Sequence, residues 1–213
     1  MDKFNKFFGK EIQRAPMVIV VSAPSGAGKT TLCGNLLKTD KNVVRAITCT
    51  TRTPRTGEKH GVDYYFLTRE EFEKHINNGD FLEYAIVHGN YYGTLKSEVY
   101  RILQSGKDVL LNIDVQGAKS IREHIGKEPC LSNSLVTVFV GAEAIDVIKE
   151  RLKTRGLDSA EEVKKRLNTA QQEMMRWNEF DYLIISGTME EDLERLQKII
   201  CAERMRTRRI TIQ

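Results

Sequence analysis

The chain has 213 residues, of which 40% are hydrophobic and 29% are charged, as in an ordinary soluble globular protein. This length suits one sizeable α/β domain with room for small inserted subdomains. The net charge of +4 favours an anionic ligand but is too small to argue for nucleic acid. No apolar run approaches the ~18 residues of a membrane helix, so we expect no membrane partner.

Cysteine usage and the first residues indicate the compartment. The four cysteines lie far apart and form no C-x-x-C pair, which is typical of reduced thiols rather than of a disulfide framework or a zinc site. Charges scattered through residues 1–15 argue against a secretory signal. We therefore expect a cytoplasmic enzyme.

Residues 1–15 form an N-terminal extension in which Phe4, Phe8 and Ile12 follow helical spacing. This spacing predicts a short helix with one apolar face. We expect the helix to pack on the core or to fray at its end. A membrane or partner anchor is the alternative.

The first strong motif is a glycine-rich turn between an apolar segment and the start of a helix. Gly26 and Gly28 let backbone N–H groups curl around an anion at the positive end of that helix. Lys29 would reach the β- and γ-phosphates of a nucleoside triphosphate, and the Thr30 hydroxyl would ligate Mg²⁺. An ordinary strand–turn–helix is the alternative. The expected triphosphate-binding residues are Ala23, Pro24, Ser25, Gly26, Ala27, Gly28, Lys29, Thr30 and Thr31.

The remaining elements follow from periodicity, capping residues and Pro/Gly punctuation. Strands are predicted at 18–22, 45–51, 81–87, 108–115, 135–140 and 182–185, and helices at 68–76, 96–104, 144–178 (interrupted at 154–159) and 190–205. Strands that alternate with helices predict a parallel sheet with right-handed crossovers. Ligands bind at the carboxyl ends of such strands.

A second candidate anion site follows the first. Arg52 and Arg55 lie three residues apart in a turn and precede Tyr64. Two guanidinium groups beside a hydroxyl can clasp one phosphate bidentately. For two arginines alone, a solvated basic loop is the alternative.

The whole segment 50–66 reads Thr-Thr-Arg-x-x-Arg-x-x-Glu-x-x-Gly-x-x-Tyr-x-Phe and resembles the guanylate kinase signature. Other blocks resemble that family in the same order, and the resemblance runs from about Met17 to Arg206. These blocks are the loop at 23–30, Gly89-Asn-Tyr-Tyr-Gly93, Ile113-Asp-Val-Gln-Gly117 and Arg151-Leu-x-x-Arg-Gly156. One difference in the loop is Ala23, which stands where the leading Gly is usual.

The resemblance implies an α/β P-loop fold of three layers with a central parallel sheet. The core would comprise residues 16–44 and 96–213, with a small GMP-binding insertion at 45–95 and a mobile lid at 152–168. The implied reaction is ATP + GMP ⇌ ADP + GDP with Mg²⁺ as cofactor. Whether dGMP is also accepted stays open, as does the oligomeric state.

The resemblance also implies the site residues. The GMP-binding residues would be Arg52, Arg55, Tyr64 and Tyr92 at the phosphate, and Thr48, Glu83, Thr94 and Asp114 at the base. Carboxylates suit guanine because its distinguishing edge presents two donors, whereas adenine would leave them unpaired. Taken alone, Glu83 could be a solvated surface carboxylate. The catalytic residues would be Lys29 and Arg52, with Arg151, Arg155 and Arg166 from the lid region; a solvated helix is the alternative for the last three.

This sequence departs from the family pattern at two further places. Asn112 replaces the first acid of Asp-Ile-Asp-x-Gln-Gly, and strand alternation would put it on one face with Asp114. We expect an intact fold and altered Mg²⁺ affinity. Residues 185–188 read Ile-Ser-Gly-Thr where Val-Asn-Asp-Asp is frequent, which leaves the adenine contacts unassigned.

Other polar clusters suggest structural roles. His60, His75 and His88 lack metal spacing. Four arginines crowd the C-terminus, and we expect them to complement the dipole of the last helix rather than to bind RNA. They are Arg204, Arg206, Arg208 and Arg209.

Two other functions compete with GMP phosphorylation. A guanylate-kinase-like module could bind phosphopeptides without catalysis, but such modules carry a degraded phosphate loop. A P-loop kinase of a phosphorylated sugar would not need Glu83 and Asp114 together with the arginine clasp.

Overall fold

The computed structural model describes residues 6–24, 27–87, 89–125, 131, 133–154 and 160–212, with side chains outside 150–154 and 160–165. In chain order its strands are β1 (Lys6–Phe7), β2 (Lys10–Arg14), β3 (Val18–Ser22), β4 (Val43–Arg45), β5 (Cys49–Thr50), β6 (Tyr65–Phe66), β7 (Phe81–Val87), β8 (Asn90–Leu95), β9 (Asp108–Asn112), β10 (Leu135–Ala142), β11 (Tyr182–Ser186) and β12 (Ile210–Ile212). Its helices are α1 (Lys29–Thr39), α2 (Arg69–Asn77), α3 (Lys96–Gln104), α4 (Val115–Ile125), α5 (Ile145–Thr154), α6 (Ala160–Met174) and α7 (Met189–Arg204). No helix in this described part is long and apolar enough to cross a membrane.

The central sheet is parallel and has the strand order β11-β10-β3-β9-β4. Every residue of β3 is buried, as expected for a strand that is covered on both faces. Ile19 and Val21 pack with α1 and α7, whereas Val18 and Val20 pack with α3 and α4. The prediction of a three-layer α/β fold around a parallel sheet is confirmed.

A second sheet has the order β6-β5-β8-β7. Its core is an aromatic stack in which the Phe72 ring centroid lies 4.3 Å from Phe81 and 5.0 Å from Tyr91. Helix α4 of the central layers packs against β7, so the two sheets meet along that helix. The boundaries of an inserted GMP-binding subdomain stay a prediction.

The prediction of a helix in the N-terminal extension is wrong, because residues 6–14 form two strands joined by a turn. β1 pairs antiparallel with β2, and β2 pairs with β12, where Ile12 lies opposite Ile212. The turn between β1 and β2 places Phe8 and Gly9 at positive φ, 49° and 77°. Helical spacing could not anticipate this pairing, because the partner strand comes from a distant part of the chain.

Two middle segments also differ from their predictions. The strand predicted at 45–51 is divided between β4 and β5, which belong to different sheets. The strand predicted at 108–115 ends at Asn112, and α4 starts two residues after Ile113. Strand β8 and helix α4 are not predicted from the sequence, because they contain Gly93 and Gly117 and glycine is typical of turns.

The C-terminal arginines have carboxylate partners rather than a dipole role alone. Arg204 lies 2.8 Å from both Asp40 and the buried Asp108. Arg209 is 2% exposed, and its Nη2 donates to the buried Glu203 at 2.7 Å. These ion pairs fasten the last helix and β12 to the core.

We expect Arg209→Ala to lower the free energy of unfolding by about 3 kcal/mol, because it removes the closest cation from the buried Glu203 carboxylate. Urea unfolding followed by circular dichroism measures the change. Arg208, whose side chain is 45% exposed, is the matched control, and Arg208→Ala should cost less than about 0.5 kcal/mol. Equal losses in the two variants would contradict the assignment.

Candidate active site

The predicted phosphate loop lies between β3 and α1. Gly28 has a φ of 87° and caps α1, a conformation that favours glycine. The Gly28 carbonyl accepts from the N–H groups of Thr31 and Leu32, both at 3.1 Å, so the helix starts directly after the loop. Among the predicted loop residues, Ala23, Pro24 and Ala27 are buried and Thr30 and Thr31 are exposed, while Ser25 and Gly26 lie outside the described residues.

Lys29 connects this loop to the neighbouring strand. Its Nζ donates to the Ile113 carbonyl at 2.6 Å, just beyond the carboxyl end of β9. Burial lowers the pKa of Lys29, and nearby groups, Asp114 first among them, oppose that shift. The ammonium is therefore held where the ends of β3 and β9 meet.

Asn112 and Asp114 lie at the same end of the central sheet. Asn112 is the last residue of β9 and is paired with Val21 of β3. The Asp114 Oδ1 accepts from the Gly117 N–H at 2.7 Å and so caps the first turn of α4. Strand alternation does not extend to Asp114, because β9 has already ended, but both side chains border the same cavity.

That cavity has a volume of about 190 Å³ and lies between the two sheets. It brings together predicted GMP-binding residues from both sides. Its lining consists of Thr48, Tyr64, Glu83, Ala85, Val87, Tyr92, Gly93, Asn112, Ile113 and Asp114. Thr94 does not line the cavity itself but donates a hydrogen bond to Glu83, which does. Arg52 and Arg55 are not among the lining residues.

Glu83 is 6% exposed, which excludes the alternative that it is a solvated surface carboxylate. The Thr94 hydroxyl donates to its Oε1 at 2.7 Å. Burial raises the pKa of Glu83 to about 7; the bond from Thr94 opposes this shift and Asp114 adds to it. Two acids thus converge on one cavity, one from β7 and the other from the end of β9.

Arg52 is held by a carboxylate that the sequence analysis did not assign to the site. The Arg52 Nη2 lies 2.9 Å from both oxygens of Glu58, and the Arg55 N–H donates to Glu58 Oε2 at 2.8 Å. The Arg52 guanidinium also lies 5.6 Å from the Tyr64 ring centroid, and that ring lies 6.2 Å from Tyr92. The signal was present in the sequence, because Glu58 occupies a fixed place in the signature, three residues after Arg55.

The arginines of the predicted lid are only partly described. Arg155 lies outside the described residues, and Arg151 is described only as part of α5. Arg166 is half-buried on α6 and interacts with other groups of the protein. The lid and its three arginines stay a prediction.

The raised pKa of Glu83 gives a test by stability. Ionising this buried group costs free energy, so its contribution to stability is fully present below about pH 4.5 and is lost as the pH rises to about 7. Glu83→Gln keeps an acceptor for Thr94 but does not titrate. Between pH 4.5 and 8 its unfolding free energy should therefore rise by about 3 kcal/mol relative to the wild type.

Urea unfolding at stepped pH values measures this difference. Glu70→Gln, which changes an exposed carboxylate on α2, is the matched control and should follow the wild type throughout. A Glu83→Gln curve parallel to the wild type would contradict the burial argument.

Comparison with known proteins agrees with this geometry. The guanylate kinase family model matches residues 15–203. The chain is 42% identical to a guanylate kinase of Rickettsia felis, over 91% of this chain and 97% of that protein. It is 40% identical to a guanylate kinase of Carboxydothermus hydrogenoformans, over 91% and 92% respectively.

A solved structure supports the same assignment. The crystal structure of guanylate kinase from Anaplasma phagocytophilum matches with a TM-score of 0.75 and 30% identity, over 94% of this chain and 92% of that one. The fold is accordingly the P-loop NTPase type that the loop motif predicts. With the family model covering most of its length, the chain belongs to the guanylate kinase family of phosphotransferases.

Proposed function

We propose that this protein transfers the γ-phosphoryl group of ATP to GMP and releases ADP and GDP. The observation that carries the proposal is the convergence of Glu83 and Asp114 on one cavity beside the phosphate loop. Guanine presents two N–H donors on one edge, and two carboxylates are the matching acceptors. A base without those donors would leave buried acceptors unpaired, which is a strong basis for discrimination.

The acceptor phosphate would lie at Arg52, with Arg55, Tyr64 and Tyr92 as its other partners. The Arg52 Nη2 donates to both oxygens of Glu58 at 2.9 Å, and its Nη1 donates to the Thr53 carbonyl; a phosphate offers oxygens of the same acceptor type. The carboxylate therefore keeps the guanidinium oriented for an anion. Thr48 and Thr94 would complete the base site, Thr94 through its bond to Glu83.

The donor triphosphate would lie against the loop 23–31. Lys29 is already oriented by the Ile113 carbonyl, so it costs little further ordering when a phosphate arrives. Its ammonium lies at the border between the loop and the acceptor cavity. That position suits contact with the β- and γ-phosphates.

The residues near the loop fit Mg²⁺. They offer hard oxygen donors: the exposed Thr30 hydroxyl and the Asn112 amide oxygen at the end of β9. No group of three or more His, Cys, Asp or Glu side chains comes together within the described ranges. Mg²⁺ at such sites is usually bound by one or two protein oxygens and completed by water and substrate phosphates. When bound, the ion would neutralise part of the triphosphate charge, and we assign Thr30 as its protein ligand.

The chemistry required of the protein is mainly electrostatic. The GMP phosphate is already an anion at neutral pH, so no general base is needed. Lys29 and Arg52 would hold donor and acceptor phosphates in line and compensate the charge on the transferred group. Arg151, Arg155 and Arg166 would add to that compensation when a lid over 152–168 closes, and closure would exclude water that could hydrolyse ATP.

A coupled ADP-release assay tests the proposal with ATP and a panel of acceptors. We expect turnover with GMP, and rates with AMP, UMP and ribose phosphates below about 1% of it, because those acceptors leave the buried carboxylates unpaired. Including dGMP determines whether the deoxyribose is accepted. Preference for a ribose phosphate would favour the sugar kinase, and no turnover with any acceptor would favour the phosphopeptide-binding module.

The departure at position 112 gives a second test. Asn112→Asp restores a carboxylate near the metal position, and a charged oxygen ligand attracts Mg²⁺ more strongly than an amide oxygen. We expect the Mg²⁺ concentration for half-maximal turnover to fall about fivefold. Asn77→Asp on the exposed end of α2 adds the same charge elsewhere and should change nothing. Unaltered Mg²⁺ dependence in Asn112→Asp would refute the placement of position 112 beside the metal.

A further inference from the structure

Gly117 occupies a helical position where glycine is not required by the backbone. It is buried in the first turn of α4 and is not among the glycines with positive φ. Glycine in a helix interior is less favourable than alanine by about 1 kcal/mol. The missing side chain at this position therefore needs another physical reason, and the reason lies in its surroundings.

A Cβ atom on Gly117 would meet the two acids of the cavity. It would lie 3.1 Å from Glu83 Oε2 and 3.4 Å from Asp114 Oδ1. The first distance is shorter than an ordinary carbon–oxygen contact, so the Glu83 carboxylate would have to move. Glu83 lies on β7, whereas Asp114 directly precedes α4, the helix that packs against β7. The absence of a side chain at Gly117 therefore leaves free the space that Glu83 Oε2 occupies.

The acids have little freedom to accommodate an added methyl group. Glu83 Oε1 is held by the Thr94 hydroxyl at 2.7 Å, and Asp114 Oδ1 is held by the Gly117 N–H at 2.7 Å. A methyl group would therefore turn the second oxygen of Glu83, Oε2, away from its present direction. Hydrogen bonds weaken steeply with such misalignment.

We propose that Gly117 is a positioning residue that sets the separation and direction of the Glu83–Asp114 pair and thereby the selectivity for guanine. The inference rests on the proposed function, since it concerns the same base site. Gly117 touches no reacting atom; it acts through the two carboxylates.

Gly93 shows by contrast why Gly117 is the informative position. A Cβ on Gly93 would lie 3.0 Å from the Glu83 carbonyl oxygen and from the rings of Phe72 and Phe81. Those contacts involve backbone and the aromatic core of the second sheet, so a substitution there would disturb the fold. At Gly117 the nearest atom is a carboxylate oxygen, Glu83 Oε2 at 3.1 Å, and Asp114 Oδ1 and Ile113 Cβ follow at 3.4 Å.

The test is Gly117→Ala, with Gly34→Ala as the matched control. Gly34 lies in α1, and a Cβ there meets nothing within 4 Å. For Gly117→Ala we expect the KM for GMP to rise about tenfold while the KM for ATP stays within about twofold, because only the base site is disturbed. The preference for GMP over inosine monophosphate, which lacks the 2-amino donor, should fall by a similar factor. Gly34→Ala should leave all three values unchanged.

Double substitution tests whether Gly117 acts through Glu83. In a Glu83→Gln background, Gly117→Ala should raise the KM for GMP less than in the wild type, because the two changes disturb the same contact. Calorimetric titration with GMP gives the same comparison without turnover. If Gly117→Ala alone does not fold, the Glu83→Ala/Gly117→Ala pair should recover folding, because it removes the atoms closest to the methyl group.

Three outcomes would overturn the inference. One is an unchanged KM for GMP in Gly117→Ala; the second is an equal loss for GMP and ATP together with a lower Tm, which a purely structural role would give. The third is a Glu83→Ala/Gly117→Ala pair that still fails to fold. Failure of the proposed function is distinguished from these by the wild-type protein, which would then neither bind nor phosphorylate GMP.

Discussion

The hydrogen bond from the Gly117 N–H to Asp114 is the interaction on which the site depends. It caps the first turn of α4, directly after the end of β9. Helix α4 then packs against β7, the strand that carries Glu83. One carboxylate oxygen thus serves the fold, which leaves the other oxygen of Asp114 for a ligand. In the proposed function recognition and folding share this group, so replacement of Asp114 would affect both.

The charges of the site are compensated within the protein before any substrate arrives. Arg52 is paired with Glu58, and Lys29 is bonded to a backbone carbonyl in the field of Asp114. Such contacts lower the cost of removing these partly buried cations from water. In the proposed function each phosphate would therefore enter by exchange for an existing interaction, and its binding strength would be a difference between two contacts rather than the full strength of either.

Local signals in the sequence predicted those parts that depend on neighbouring residues. The capping box of Thr68 and Glu71, the buried strand before the loop and the strand–helix alternation are all determined by short spacings. The N-terminal hairpin was mispredicted because its partner is distant, and β8 and α4 were missed because their glycines serve close packing instead of turns. The burial of Glu83 is likewise a tertiary property. The signature marks Glu58 as a residue of interest, but its partner Arg52 is determined by a turn that spacing alone does not reveal.

The pairing of Ile12 with Ile212 has a consequence for how the protein is made. On the ribosome β2 emerges early, whereas its partner β12 emerges only after nearly all of the intervening chain. Until then β2 has only the two-residue strand β1 beside it, and such an edge is open to pairing with other chains. The central sheet can assemble earlier, because all of its strands precede β12 and paired strands such as β3 and β9 are less far apart in the sequence than β2 and β12. The small sheet would then be completed only after the central sheet, and its contacts of very long sequence separation would slow that stage of folding.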